Sequence, residues 1–166
     1  MIFLTVGTQL PFDRLVRAVD EALAARVIDD EVVAQIGVGG YRPRHMAWTE
    51  TLDREAFDAH VARAVALVGH AGTGTIFVAL EAMKPLLVMP RLSRLGEHVN
   101  DHQVGTARRF GALGHVLVAE DERTLVERLR ELRHFVPRPR QPRTECVVAR
   151  VRAFLDAVAA QRSSRF

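Results

Sequence analysis

The stretch Ala66-Leu67-Val68-Gly69-His70-Ala71-Gly72-Thr73-Gly74-Thr75 decides the fold. Residues 66–69 form an apolar run too short for a helix and read as a buried strand. The run stops at a glycine-rich turn, and a helical pattern follows over residues 76–83. A second apolar run, Pro85-Leu86-Leu87-Val88-Met89-Pro90, comes immediately after. It lacks polar alternation, as expected of a strand covered on both faces of a parallel sheet. Strand, glycine turn, helix and strand make a βαβ unit.

Working outward, the same order repeats. Toward the N-terminus, residues 2–6 are a β-branched apolar run ending at Gly7-Thr8. Pro11 opens a helix in which Phe12, Leu15, Val16, Val19 and Leu23 recur at helical spacing, to about residue 26. Residues 31–37 read as a strand that stops at Gly37, Gly39 and Gly40. A loop carrying Tyr41, Pro43 and Trp48, with a short strand near 45–48, leads to a helix over 53–64. Toward the C-terminus, a loop at 91–97 precedes a helix over 100–110 and a last strand at 115–118. Asp121 and Thr124 introduce a helix with Leu125, Leu129 and Leu132 inside. The expected fold is α/β, a doubly wound parallel sheet of Rossmann-like type.

Residues 1–136 are expected to form one domain. Residues 137–143, Pro-Arg-Pro-Arg-Gln-Pro-Arg, read as a stiff basic linker. Residues 144–166 read as an amphipathic helix and tail, with Val147, Val151, Phe154, Leu155 and Val158 as its apolar stripe. Two readings of that stripe stand: it packs on its own domain, or it reaches a partner. Cys146, the single cysteine, lies in this apolar stretch and reads as a buried structural thiol.

The 166 residues are 48% hydrophobic and 26% charged, ordinary values for a globular protein. No apolar run approaches a membrane span, and the N-terminus has neither the basic region nor the cleavage site of a signal peptide. A cytoplasmic protein is expected, with membrane contact only through a partner. The net charge of +3 comes with no zinc-finger spacing or RNA-binding aromatic pattern, so no nucleic-acid partner is expected.

Three polar clusters stand at strand ends, where open parallel sheets bind ligands. The first is Gly7-Thr8-Gln9. The second is His70-Ala71-Gly72-Thr73-Gly74-Thr75, suited to a phosphate at a helix N-terminus; its alternative is a tight turn capped by Thr73 or Thr75. It has neither the Lys of a Walker A loop nor dinucleotide spacing. The third is Gly96-Glu97-His98-Val99-Asn100-Asp101-His102-Gln103, dense in the donors and acceptors that sugar hydroxyls need. His98 and His102 are four residues apart, but Val99 stands where a zinc protease needs Glu, and no metal is expected.

These clusters, in this order, resemble the C-terminal domain of glycosyltransferase family 28. They resemble above all its split members: the small subunit of the dolichol-linked N-acetylglucosaminyltransferase, and bacterial exopolysaccharide and capsule counterparts. The resemblance is carried by Phe3-Leu4-Thr5-Val6-Gly7-Thr8-Gln9 with Pro11-Phe12-Asp13-Arg14-Leu15, by the glycine loop with Lys84-Pro85-Leu86-Leu87-Val88-Met89-Pro90-Arg91, and by the third cluster. It implies one half of a GT-B fold that binds a UDP-sugar without a metal or other cofactor. It also implies transfer of a hexose-type sugar to a lipid-linked acceptor held by a membrane-anchored partner subunit. Gly7, Thr8, Gln9, His70, Gly72, Thr73, Gly74 and Thr75 are then expected at the diphosphate. Glu97, His98, Asn100, Asp101, His102 and Gln103 are expected at the donor sugar, with His98 and His102 the candidates for any catalytic role.

Two positions depart from the family pattern. Val78 stands where a ribose-binding Glu is usual, and Glu81, one turn later, is expected to take over the ribose. Met83 replaces a glycine, expected as a packing change. A non-catalytic accessory subunit is the alternative that Val78 favours.

Overall fold

The computed structural model describes residues 1–140 and 144–163. Six strands form one all-parallel sheet: β1 (Ile2–Thr5), β2 (Val32–Gln35), β3 (Ala47–Thr49), β4 (Ala66–His70), β5 (Leu86–Met89) and β6 (Leu117–Val118). Their order across the sheet is β3-β2-β1-β4-β5-β6. The chain winds outward from β1 in one direction and from β4 in the other, so the order reverses between those two neighbours. Loops leaving β1 and β4 part there and open a crevice at the carboxyl edge.

Strand side chains alternate between two cores because successive residues point to opposite faces. Ile2, Leu4, Val68, Leu87 and Met89 join α1 (Asp13–Ala24) and α5 (Glu122–Leu132) on one face. Phe3, Leu67, Leu86 and Val88 join α2 (Arg54–Arg63), α3 (Thr73–Glu81) and α4 (His102–Ala112) on the other. All four residues of β1 and of β5 are buried, which explains why they are apolar except for Thr5, whose hydroxyl bonds Gln35.

Several expected local features have different partners. Neither Thr73 nor Thr75 caps α3. Its cap residue is Gly72, which has no side chain to satisfy the first N–H groups. Met83 is more than a packing change: it adopts a left-handed φ of 51° at the end of α3, where the Lys84 N–H bonds back to the Ala79 carbonyl. Lys84 itself donates through Nζ to the carbonyls of Ala62 and Ala64, closing the end of α2.

Residues 137–140 of the basic segment are docked on the domain. The Arg138 N–H donates to the Gly114 carbonyl, and Arg140 lies over the Phe77 ring. Residues 141–143 lie outside the described residues. Beyond them is α6 (Thr144–Ser163), where Val147, Val151, Phe154, Leu155 and Val158 are all exposed. The reading in which this stripe packs on its own domain is therefore corrected. Cys146 is exposed as well, not buried, because the helix that carries it has no covering layer. Among the described residues no helix is long and apolar enough to cross a membrane.

Candidate functional site

A cleft of about 540 Å³ lies at the carboxyl edge of the sheet, above the switch point at the paired strands β1 and β4. Loops from β1, β3, β4 and β5 build its walls. Of the residues expected at a site, Gly7, Thr8 and Gln9 line it from the first cluster, and His70, Gly72, Thr73, Gly74 and Thr75 from the second. His98, His102 and Gln103 line it from the third. Residues separated by nearly 100 positions in sequence thus face one cavity.

The floor is built around His70. Its imidazole occupies the space where side chains at residues 7 and 72 would stand: a Cβ on Gly7 would come 2.8 Å from Cε1, and a Cβ on Gly72 would overlap Nε2. Gly7 also has a left-handed φ of 81°. Glycine is therefore required at both positions by a buried ring as much as by any ligand. Gly74 differs, since nothing lies within 4 Å of where its Cβ would be, so the first turn of α3 is open to the cleft. With no side-chain cap, this turn presents unsatisfied N–H groups and the positive end of a helix dipole. Burial, helped by the positive charge of Arg91, lowers the His70 pKa to about 4, so the ring is neutral at pH 7.

The third cluster divides. Gln103 is buried, and its Oε1 accepts from the Arg91 backbone N–H at 3.2 Å. His98 and His102 pack edge to face, with ring centroids 4.6 Å apart, and His98 Nδ1 is buried without a hydrogen-bond partner. The other expected sugar ligands stand outside the cleft lining. Glu97 is committed to Arg14 at 2.7 and 2.9 Å and to the Leu92 N–H at 2.8 Å. Asp101 accepts from the Ser93 N–H, and Asn100 from the His102 N–H. All three carboxylate or amide groups shape the loop. Glu81 also lies outside the lining, near the far end of α3, whereas Val78 faces the cleft. Among the described residues, no group of three or more His, Cys, Asp or Glu is placed to hold a metal.

Several cleft residues were given no role at the site from the sequence. Leu52 and Phe57 form an apolar wall at the β3–α2 junction, beside Asp53 and Arg54. Asp53 caps α2 by accepting from the Ala56 N–H. Gln35, at the end of β2, accepts from the Thr5 hydroxyl at 2.6 Å. Arg91, directly after β5, is buried and donates to three carbonyls of the β1–α1 loop. The available signal was positional for Gln35 and Arg91, which stand at or just beyond the carboxyl end of a strand, whereas Asp53, Arg54 and Phe57 come from the start of α2.

A doubly wound parallel sheet with its cleft at the switch point is a Rossmann-like domain, the fold also found in the C-terminal halves of GT-B glycosyltransferases. The chain belongs to the family of the glycosyltransferase family 28 C-terminal domain, whose model matches residues 1–158. A curated relative, the UDP-N-acetylglucosamine transferase subunit ALG13 of Eremothecium gossypii, is 47% identical over 53 residues, 32% of this chain and 24% of that protein. The match thus spans about a quarter of that relative. The solution structure of ALG13 superposes with a TM-score of 0.59 at 22% identity, over 80% and more of each partner: 83% of this chain and 87% of that one. The crystal structure of the kitacinnamycin glycotransferase gives a TM-score of 0.59 at 22% identity, covering 80% of this chain and 34% of that one. These structural likenesses are likenesses of fold.

Proposed function

We propose that this chain is the UDP-sugar-binding subunit of a two-component glycosyltransferase that adds a hexose-type sugar to a lipid-linked acceptor in polysaccharide biosynthesis. The observation that carries this reading is the uncapped first turn of α3, opening at Gly74 onto a cleft walled by Gln103, His98 and His102. A diphosphate there would accept from the free N–H groups of α3 and gain from its dipole. The polar wall would take the sugar, and Leu52 with Phe57 would cover the base.

The chemistry needs a donor held with its leaving diphosphate stabilised and an acceptor hydroxyl brought to the anomeric carbon. Helix N–H groups can stabilise the leaving charge without a metal. His98 and His102, at the mouth of this wall, are the candidates for proton handling. The acceptor and its base would come from a membrane-anchored partner, a reading supported by the relative's designation as a transferase subunit. The exposed apolar stripe of α6 is a surface such a partner could cover.

A second reading is favoured by Val78, which leaves no carboxylate at the usual ribose position in this cleft. In that reading the chain supports a partner already competent in transfer. Co-expression with a candidate acceptor-binding protein, followed by transfer assays from labelled UDP-sugars to membrane lipids, separates the two. The first reading expects transfer only when both chains are present, undiminished by EDTA. Transfer by the partner alone would establish the second.

A further inference from the structure

Two arginines that meet beside the cleft have no part in the reading above. Arg91 and Arg14 both place their guanidinium over the Phe12 ring, at 4.6 and 5.3 Å. Their electrostatic situations differ. Arg14 is paired with Glu97 and lies 3.6 Å from Glu122. Arg91 is only 3% exposed, and among the described residues no carboxylate is within ion-pairing distance of it. Its partners are neutral: Nη1 donates to the Pro11 carbonyl at 2.6 Å, and Nη2 to those of Val6 at 2.9 Å and Leu10 at 2.6 Å.

Those three carbonyls bracket Gly7-Thr8-Gln9. The Arg91 backbone N–H holds the Gln103 side chain at the same time. One residue therefore ties together the loop after β1 and the polar wall after β5, on opposite sides of the cleft that it also lines. A buried cation without a counter-ion is costly, and an anion arriving nearby relieves that cost. The field of Arg91 is felt at the cleft floor, where it helps to keep His70 neutral. Glu97, whose carboxylate is already taken by Arg14, acts on Arg91 from beyond ion-pairing distance, Arg14 shares the Phe12 ring with it, and His98 acts on His70.

We propose that Arg91 is a positioning residue for the donor diphosphate, holding the Gly7–Gln9 loop in place while its unpaired charge favours an anion in the cleft. This rests on the reading of the cleft as a UDP-sugar site and assigns to one side chain both the shape and the charge of that site. Contact with the reacting atoms is no part of the assignment, because the guanidinium is occupied by backbone.

The test uses the 166-residue chain with UDP and uridine as probes. Affinity is measured by calorimetry, and the His70 pKa by NMR titration, in wild type, Arg91→Lys and Arg91→Gln. Wild type should bind UDP more tightly than uridine. Arg91→Gln should lose roughly tenfold in UDP affinity, with uridine affinity unchanged, and its His70 pKa should rise. Arg91→Lys should keep the low His70 pKa and recover part of the UDP affinity, separating the charge from the three-carbonyl clamp. Equal loss of UDP and uridine in Arg91→Gln, or an unmoved His70 pKa, would reduce Arg91 to a structural residue and overturn the proposal. Failure of wild type to bind either probe would remove the cleft reading itself.

Discussion

Arg14 and Glu97, 83 residues apart in the chain, form a bidentate ion pair at 2.7 and 2.9 Å that fastens the loop after β5 to α1. Both side chains are largely buried, and Arg14 donates in addition to the Pro90 carbonyl. Burial alone would lower the Arg14 pKa, but the hydrogen bond and charge of Glu97 outweigh it and raise the value. The loop they hold leads directly into His98, His102 and Gln103. Glu97→Ala would leave the Arg14 guanidinium without its main acceptor, a loss of about 2–3 kcal/mol. Denaturant unfolding should show that loss. A change below 0.5 kcal/mol would mean that the pair does not anchor the loop.

Met83 supplies a stability prediction independent of function. Its left-handed φ of 51° closes α3, and its side chain is 52% exposed, so little packing is lost on truncation. Met83→Gly should stabilise the protein by about 1 kcal/mol, since glycine adopts this backbone without the Cβ penalty. Destabilisation would show that the Met83 side chain contributes more than its backbone costs.

A pH dependence follows from His70. Its folded pKa of about 4 lies below the ordinary 6.5, so between those values the unfolded chain binds the proton and the folded one does not. Stability should therefore fall as pH drops from 6.5 toward 4, by up to about 3 kcal/mol. Unfolding curves at pH 7, 6, 5 and 4.5 should separate for wild type and converge for His70→Gln. Asp20 acts in a different window. Burial would raise its carboxyl, but hydrogen bonds from the Arg44 and His45 N–H groups and the Tyr41 hydroxyl hold it below the usual range, so its contribution is lost only in stronger acid.

Gln103 is expected to select the donor. It is buried, lines the cleft, and has its Oε1 fixed by the Arg91 N–H. Gln103→Ala should reduce donor use roughly tenfold while the chain stays folded, the cost of an unpaired donor or acceptor in the complex. Full transfer by a folded Gln103→Ala complex would rule out the role.

The strands were legible in sequence for a physical reason. Parallel strands buried on both faces must be largely apolar, and residues 2–4 and 86–89 are, while the buried Thr5 hydroxyl is satisfied by Gln35. The clusters at 7–9 and 70–75 were legible because glycines at strand ends mark turns that approach something closely. What was not legible is pairing over distance. Nothing near Glu97 in the chain announces that Arg14 takes its carboxylate, so it read as a free sugar ligand. Arg91 read as the end of a motif, because its three acceptors lie about 80 residues earlier. The stripe on α6 shows an apolar face without stating what covers it, and Cys146 was misread for that reason. Val78 and Glu81 needed the direction of α3 relative to the cleft, which helical spacing alone does not supply.

The most direct test of the central claim is an NMR titration of the isotopically labelled chain with UDP. The account predicts saturable shifts concentrated at the backbone of Gly7–Gln9 and of Gly72–Thr75, with a second set at Leu52 and Phe57, where the base would rest. Absence of binding, or shifts confined to other surfaces while these loops stay unmoved, would contradict it.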